Sequence, residues 1–503
     1  MASLQDNQFF SKRRERGLVV VDEPPKLDLD AYISNYKGLC SPYSRTASQL
    51  LKSNLGRTRY ERLYLIGVSS TYLCLDALKA AIKEVKKNTD ETRKGVDVSQ
   101  YEQAVATLYG IVPSDPDAIL DTAWVERMKK VSKAETDKME VELKGYKNNL
   151  IKESIRMGYQ DLGKQYQYIG DLANATKSFS KMYDYMTANG HVVSMCMYLI
   201  QVAIDQRNWT AVTMNAQRIW SNGTTKYEEA KKQSAKLSSA LGLAELAGSN
   251  YKNAADLFLD TDPRMTQAKL DNFVDEEAYN EVLTPNDVAT YGGLCALASF
   301  SRSELQTKVL EHKTFRNYLE LEPHLRRAIT FFIASKYAAC LSILEAWKSD
   351  YLLDLYLQNH YINLVERVRR KAIQQYFIPF SCVTLKALSE AFNTDEATIE
   401  VELMQMIKRG ELEARIDLVD RLLLANKVDK RAEVHERALK TAKDYERTAH
   451  LRILRMAIVN AGLEVKPPKD KGVSNVQGIS SQGDGMFGGA GAGDLIGGVP
   501  LGR

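Results

Sequence analysis

Residues 148–184 read NNLIKESIRMGYQDLGKQYQYIGDLANATKSFSKMYD, and this stretch decides the fold. Two segments with helical spacing of apolar residues meet at a turn around Gly170. Large residues of the first segment recur opposite small ones of the second, which predicts two helices packed as a repeat unit. Such a unit cannot bury its apolar face alone, so further copies are expected. The residues at these spacings are Tyr159, Leu162, Gly163, Tyr166, Gly170, Ala175 and Phe179.

The turn and the residues behind it recur along the chain. Copies are spaced by roughly 37 to 43 residues if one degenerate copy lies at Ser301–Val309, which is typical of helical solenoids. The predicted fold class is therefore predominantly all-α, with a right-handed solenoid of tetratricopeptide-like repeats. The alternative is an irregular helical domain with chance similarity among its turns. The first copy has Asp171, Leu172, Ala175 and Phe179, and the others have Asn208, Trp209, Val212 and Ala216, then Asn250, Tyr251, Ala254 and Phe258, then Lys336, Tyr337, Cys340 and Leu344.

The composition is that of a large chain with more than one core. It has 503 residues, of which 44% are hydrophobic and 26% are charged, so two or three structural units are expected. Lys and Arg number 68 against 64 Asp and Glu, a net charge of +4. No global field therefore draws the chain to nucleic acid or to an anionic membrane, and partners must be recognised locally.

Cysteine spacing and hydropathy predict the cellular location of the chain. No C-x-x-C pair occurs, so neither a zinc knuckle nor a disulfide framework is indicated. No apolar run approaches the roughly 20 residues that span a bilayer, and the first residues lack a signal-peptide pattern. We expect reduced thiols and a location in the cytoplasm and nucleus. The six cysteines are Cys40, Cys74, Cys196, Cys295, Cys340 and Cys382.

The regions before residue 352 divide at changes in composition. Residues 1–27 are polar and predict a disordered arm, whose basic cluster is either a nuclear address or, by preference, a solvated tail. Residues 28–147 predict helical pairs and part of a long charged helix, Ala118 to about Tyr159. Residues 148–351 hold the tetratricopeptide-like repeats. The basic cluster comprises Lys12, Arg13, Arg14 and Arg16.

Residues 352–427 predict a winged helix, because three helical segments precede two short strand-like runs. Ile378-Pro379 breaks the first helix, and Gly410 ends the third. The first strand-like run alternates apolar and polar residues and the second is a short apolar run, and together they predict a two-stranded wing. The segments are helices at Asp354–Gln375, from Ser381 or Cys382 to Phe392, and at Asp395–Arg409, followed by strands at Leu412–Asp417 and Arg421–Leu424.

Nucleic-acid binding is the first rival function of a winged helix. Its third helix would face phosphates with the acidic residues Asp395, Glu396, Glu400 and Glu402. Only the basic run from Arg367 to Lys371 favours it, and such a run is more often a solvated helix face. We therefore expect no nucleic-acid binding.

Two surfaces are predicted to bind other subunits. The wing strands can pair with a strand of a neighbouring subunit through main-chain hydrogen bonds. A long terminal helix, residues 428–462, has an apolar stripe that favours a helical bundle. The Gly-rich tail, residues 463–503, is predicted to be disordered. The wing residues are Leu412, Ala414, Ile416, Leu422 and Leu424, and the bundle residues are Leu439, Ala442, Ala449, Ile453, Met456 and Ala457.

Local catalytic motifs are missing from the sequence. It has no G-x-x-x-x-G-K-[ST] loop, no G-x-S-x-G elbow and no H-E-x-x-H pair. We therefore predict no enzyme activity, no cofactor, and no catalytic, cofactor-binding or metal-binding residues. The six histidines are His191, His312, His324, His360, His435 and His450, which are too far apart to form a His-x-His metal pair.

The order of helical repeats, winged helix and terminal helix resembles the PCI domain family, found in the proteasome lid, the COP-nine signalosome and translation initiation factor three. Longer stretches are similar to the subunit 1 family of the COP-nine signalosome, over about residues 28–465. The related PCI subunit of the 26S proteasome lid is the alternative. The stretches are RYERLYLIG (59–67), NLIKESIRMGYQDLG (149–163), YGGLCALASFSRSELQ (291–306), FRNYLELEPHLR (315–326), SKYAACLSIL (335–344) and QYFIPF (375–380).

The resemblance implies a non-catalytic scaffold in the complex that removes a ubiquitin-like modifier from cullins and so regulates cullin-RING ubiquitin ligases. It implies PCI and MPN subunits as partners, among them a zinc metalloprotease, and a cullin-RING ligase facing the N-terminal solenoid. The charge and hydropathy patterns described above predict neither nucleic acid nor a membrane as a partner.

Overall fold

The computed structural model describes residues 7–27, 29, 56–87, 96–187, 189–221, 234–261, 282–426 and 430–463. The predicted disordered tail and residue 28 lie outside these ranges, except for the tail's first residue, Leu463. The chain divides into two compact units, Met1–Asn426 and Lys427–Arg503. The all-α prediction is confirmed, because within these ranges helices dominate and the named strands form one small sheet.

The N-terminal arm is folded over residues 7–27, so the prediction of disorder is wrong there. Helix α1 spans Gln8–Glu15, and the Asn7 side chain accepts a hydrogen bond from the Phe9 amide at 2.9 Å. Asn7 Nδ2 donates to the Ile111 carbonyl at 3.0 Å, and the Phe10 side chain is fully buried. Burial of Phe10 and Val21 contributes hydrophobic stabilisation that the polar composition of the arm does not indicate. The basic cluster Lys12–Arg16 therefore lies on and just after a docked helix.

Helical pairs follow, as predicted for residues 28–147. The long helix predicted from Ala118 to Tyr159 is wrong, because it breaks at Leu150, whose φ is 53°. A residue in the left-handed region cannot continue an α-helix. The helices are α2 (Gly56–Ser69), α3 (Cys74–Lys87), α4 (Val98–Ile111), α5 (Thr122–Asn148) and α6 (Lys152–Ile169).

The repeats share one turn geometry. At the turn, one residue adopts a positive φ, and the following helix begins two residues later; these positive-φ residues are Gly170, Arg207, Ser249 and Ser335. The amide of the next residue donates to the carbonyl five positions earlier, as Asp171 does to Tyr166 and Asn250 to Glu245. The repeat helices are α7 (Leu172–Lys181), α8 (Asn189–Asp205), α9 (Trp209–Ser221), α10 (Ser234–Ala247) and α11 (Tyr251–Leu259).

Aromatic rings packed against glycine hold these helix pairs together. A Cβ atom at Gly163 would lie 2.5 Å from Phe179 Cε1, and one at Gly242 would lie 2.7 Å from Phe258 Cε1. Only glycine permits this approach. The template residues are buried, which confirms the predicted repeats: Ala175, Phe179, Val212, Ala216, Ala254, Phe258, Cys340 and Leu344.

The solenoid continues toward the winged helix. The segment Tyr291–Phe300 is almost entirely buried, as its small and apolar composition indicates. The degenerate repeat copy forms α13 and then a π-helical turn, Leu305–Leu310. The helices are α12 (Pro285–Ser299), α13 (Arg302–Glu304), α14 (Lys313–Leu319), α15 (Pro323–Ile333), α16 (Tyr337–Ala346) and α17 (Lys348–Leu352).

The winged helix carries a three-stranded sheet. The two predicted wing strands are present as β2 (Ala414–Asp417) and β3 (Leu422–Ala425), and a strand that was not predicted, β1 (Cys382–Thr384), pairs with β3 on its other side. The missed strand β1 has only three residues, and the Thr384 side chain caps the next helix by accepting from the Ala387 amide at 3.2 Å. Strand and cap together therefore resembled a helix start. The elements are α18 (Tyr361–Phe377), β1 (Cys382–Thr384), α19 (Leu385–Phe392), α20 (Glu396–Lys408), β2 (Ala414–Asp417) and β3 (Leu422–Ala425); in the second unit, α21 spans Lys430–Asn460.

The contact between Phe179 and Gly163 predicts opposite effects for two glycine substitutions. Gly163→Ala should lower the free energy of unfolding by about 1 to 3 kcal/mol, because the added methyl group overlaps a buried ring. Gly145→Ala in α5 should raise it by about 0.5 to 1 kcal/mol, because nothing lies within 4 Å of a Cβ atom there. Urea unfolding of the purified chain measures both, and equal shifts for the two variants would contradict the proposed packing.

Candidate assembly surfaces

The sheet of the winged helix has two edge strands, β1 and β2. Just before β2, the Glu413 carbonyl accepts from the Asn426 amide at 3.0 Å; within β2, Arg415 and Asp417 lie opposite Leu424 and Leu422. Because bonding alternates along an antiparallel pair, the N–H and C=O of Ile416 point away from β3. The backbone of Ile416 is therefore positioned to accept an additional strand.

The predicted wing residues do not form one surface. Leu412 and Ala414 are buried, at 7% and 4% exposure, so their side chains belong to the core. Leu422 and Leu424 lie in β3, which is the central strand, so the prediction that they stand at an edge is wrong. The cause is β1, which covers β3 on its other side. The backbone of Ile416 faces the edge, and its half-buried side chain packs on the core, whereas the Ala414 amide donates to the Leu412 carbonyl at 3.0 Å.

The basic run of α18 is used inside the domain. Arg369 Nε donates to Glu402 Oε2 at 2.8 Å, and Arg370 Nη1 donates to Glu411 Oε1 at 3.3 Å. Lys371 Nζ donates to the Leu297 carbonyl at 2.7 Å, and burial lowers the pKa of Lys371 to about 8. The Arg367 guanidinium lies 4.6 Å from the ring centroid of Tyr251. All four basic side chains of this run therefore have partners within the first unit.

Helix α21 presents an apolar stripe that is exposed along the described residues of its unit, 430–463. Leu439, Ile453 and Met456 are 50%, 64% and 68% exposed. Ala442 and Ala457 are also exposed, and Ala449 is half-buried. A 31-residue helix with this much exposed apolar surface is typical of a partner-binding element. All six predicted bundle residues lie on this helix.

A buried ionic network that sequence reasoning missed ties α2 to the solenoid. Arg62 donates two hydrogen bonds to Asp287, at 2.7 and 3.2 Å, and its Nη1 lies 3.4 Å from Asp354 Oδ2. The Tyr291 hydroxyl donates to Asp354 at 2.6 Å. Two carboxylates around one guanidinium compensate a charge that could not be buried alone. The stretch RYERLYLIG, quoted above for its resemblance, contains this arginine but does not reveal its partners.

A second part of the network lies nearer the first repeats. Arg207 Nη2 donates to Glu61 Oε2 at 2.8 Å, and Gln167 Nε2 donates to Asp205 Oδ2 at 3.1 Å. Burial raises the pKa of Asp205 to about 7, and the neighbouring cation Arg57 only partly opposes this shift. Near neutral pH, ionisation of Asp205 therefore destabilises the folded state.

The arm reinforces the same connection. The Val21 amide donates to the Ser69 carbonyl at 2.7 Å, beyond the end of α1. The amides of Lys26 and Leu27 donate to Asp350 at 3.4 and 3.2 Å. Arm and α2 thus bridge the first helices and the end of the solenoid within the first unit.

The described residues also show where the histidines and other possible metal ligands lie. No group of three His, Cys, Asp or Glu side chains there is placed to hold a metal ion. His324 stacks on Trp347 with ring centroids 3.9 Å apart, and burial lowers its pKa to about 4. His360 lies 3.3 Å from the Tyr251 hydroxyl. These histidines pack in the core. In the same ranges, no helix is both long and apolar enough to cross a bilayer.

The chain is similar to known protein families and to curated proteins. Residues 121–308 match the family described as 26S proteasome subunit RPN7, and residues 344–427 match the PCI domain. The chain is 47% identical to COP9 signalosome complex subunit 1 of Emericella nidulans over 461 residues, covering 90% of this chain and 85% of the relative. The chain belongs to the COP9 signalosome subunit 1 family. This confirms the resemblance inferred from the sequence.

Other members of the COP9 signalosome subunit 1 family are similar over comparable lengths. The Neurospora crassa protein is 43% identical over 421 residues, covering 84% of this chain and 92% of the relative. The Arabidopsis thaliana protein is 36% identical over 440 residues, covering 87% and 90%. These relatives span solenoid and PCI domain together, whereas the RPN7 match ends at residue 308.

The raised pKa of Asp205 predicts how the stability of the first unit depends on pH. A carboxyl group whose pKa rises from 3.8 to about 7 on folding stabilises the folded state below about pH 4, and this contribution is lost as pH rises through 7. Asp205→Asn should therefore melt progressively higher than the unmodified chain between pH 5 and pH 8. Calorimetry across this range measures the difference. Asp256→Asn, at an exposed ion pair with Lys308, is the control, and a pH-independent difference for Asp205→Asn would contradict the assignment.

Proposed function

We propose that the chain is a non-catalytic scaffold subunit of a COP9 signalosome, the assembly that removes a ubiquitin-like modifier from cullins and so regulates cullin-RING ligases. The observation that carries the proposal is the exposed apolar stripe of α21, which follows a PCI domain in a chain whose full-length relatives are signalosome subunits. A scaffold needs surfaces of this kind, whereas an enzyme needs a reactive cluster.

Catalysis belongs in this proposal to another subunit, an MPN-type zinc metalloprotease. The nearest partners are PCI and MPN subunits, and a cullin-RING ligase faces the solenoid as the client. The complex works in the cytoplasm and nucleus. The internal use of the basic residues of α18 supports leaving nucleic acid out of this set.

Two contacts with other subunits follow from the geometry. The backbone of Ile416 at the β2 edge pairs with a strand of a neighbouring PCI subunit. The stripe through Ile453 and Met456 packs in a bundle of terminal helices from several subunits. The strand contact arranges neighbouring PCI domains in a defined order, and the helix bundle buries additional apolar area.

A scaffold role in the 26S proteasome lid is the second candidate, because residues 121–308 match the lid subunit RPN7. One experiment separates the two. The tagged chain is recovered from native extract, its co-purifying proteins are identified by mass spectrometry, and the eluate is assayed on a modified cullin. An MPN protease with several PCI proteins and cullin-cleaving activity supports the signalosome. Proteasome ATPases would move the assignment to the lid, and recovery of a lone chain would refute a scaffold role.

The bundle contact predicts a loss of assembly from one exposed position. Ile453→Ser should reduce incorporation into the reconstituted complex at least tenfold, because it removes apolar area at the centre of the stripe. The isolated chain should keep its melting temperature, since Ile453 is already 64% exposed. Arg455→Ser, about half a helical turn away, is the matched control. Equal incorporation of both variants, measured by size-exclusion chromatography, would refute the contact.

The strand contact predicts a difference between two substitutions at one residue. Ile416→Ala and Ile416→Pro both remove the side chain, but only proline removes the outward N–H. Proline should therefore weaken binding to the neighbouring PCI subunit by several-fold more than alanine. Isothermal titration with that subunit gives the comparison, and circular dichroism checks that both variants stay folded. Identical affinities would mean that no strand is added there.

A further inference from the structure

The turn between α5 and α6 places a large apolar residue at a left-handed position where the repeat turns have glycine, arginine or serine. Leu150 adopts a φ of 53°, in the left-handed region that disfavours a bulky side chain. The side chain of Leu150 is also 82% exposed, so it gains no packing in return. In the repeat turns, glycine, arginine or serine has the same conformation, at Gly170, Arg207, Ser249 and Ser335.

The next residue, Ile151, is also of a type that is unfavourable at its position. Ile151 is the N-cap of α6, where it makes no side-chain hydrogen bond to the helix, and it is 54% exposed. Isoleucine is among the poorest residues at this position. At the following turn Asp171 accepts from the Asn174 amide at 3.1 Å, and Asn208 accepts from the Ala211 amide at 3.2 Å. Two adjacent residues therefore reduce local stability in the free chain, a pattern expected at functional sites.

The surroundings of this tip are cationic. Lys144, Lys147 and Lys152 are exposed around it, and Lys147 Nζ lies 4.9 Å from the Tyr159 ring centroid. The nearest acidic residue along α6, Glu153, is neutralised by Arg156, whose Nε donates to it at 3.1 Å. Two exposed apolar residues with lysines close to them are complementary to an apolar pocket with an acidic rim.

We propose that Leu150 and Ile151 are a docking tip that inserts into an apolar pocket, rimmed by Asp or Glu, on another subunit of the assembly. The proposal rests on the proposed scaffold function for the identity of that assembly. Burial of both side chains on binding offsets their local cost in the free chain. A second copy of this chain is disfavoured as the partner, because two lysine-ringed tips repel each other.

A photocrosslink identifies the occupant. A diazirine amino acid replaces Leu150 in the full chain, the reconstituted complex is irradiated, and crosslinked peptides are sequenced by mass spectrometry. The same amino acid at Ser249, in the corresponding turn between α10 and α11, is the control. We expect position 150 to label one other subunit at an apolar segment flanked by Asp or Glu. Labelling of a second copy of this chain, or no labelling beyond the control, overturns the proposal.

Stability and affinity should change in opposite directions at the tip. Leu150→Asn and Ile151→Ser should each raise the melting temperature of the free chain by about 1 to 2 °C, because asparagine tolerates the left-handed conformation and serine caps the helix. The same variants should bind the crosslinked subunit about tenfold more weakly. Ser335→Asn and Lys336→Ser make matched changes at the turn before α16, where Lys336 also lacks a side-chain cap bond; their affinity should be unchanged.

The outcomes separate the docking tip from the scaffold function. If the unmodified chain enters no complex, the scaffold function fails. If it enters the complex and Leu150→Asn binds with unchanged affinity, only the docking tip is refuted. A fall in melting temperature for both tip variants would also refute it, since the two residues would then be stabilising the free fold.

Discussion

The architecture of the first unit depends on a close approach between aromatic rings and helix backbones. Phe179 lies on Gly163 and Phe258 lies on Gly242 at distances that leave no room for a Cβ atom. This approach sets how closely two helices of a repeat pack, and the left-handed turn at residues such as Gly170 sets where the second helix begins. Because each repeat contacts mainly its neighbours, small and repeated constraints build the whole solenoid.

The parts of the fold that could be predicted are those with a local periodic pattern of apolar residues. Ala175, Phe179, Ala254 and Phe258 recur at fixed distances from a turn, and all are buried as that spacing indicates. Strand β1 was missed because three residues that run into a helix cap carry too little pattern. Because β1 was not predicted, β3 was wrongly expected to be an edge strand.

The contacts of α2 and of the arm could not be predicted for a different reason. Arg62 meets Asp287 across 225 residues, and the Lys26 amide meets Asp350 across 324. Neither spacing leaves a periodic signal, so only the fold brings these groups together. The apolar stripe of α21 was readable because helical spacing alone defines it, whereas Ile416 was placed among edge residues without knowing which strand was central.

The ionic attachment of α2 also bears on how the chain is made. Helix α2 leaves the ribosome early, but the carboxylates that surround Arg62 follow 225 and 292 residues later. At synthesis rates of about 5 to 20 residues per second, this interval is roughly 10 to 60 seconds. The repeats can fold in order as they emerge, but this helix must wait with its arginines in water. Closure of the network is therefore a late event of synthesis, and it marks a chain whose solenoid is complete.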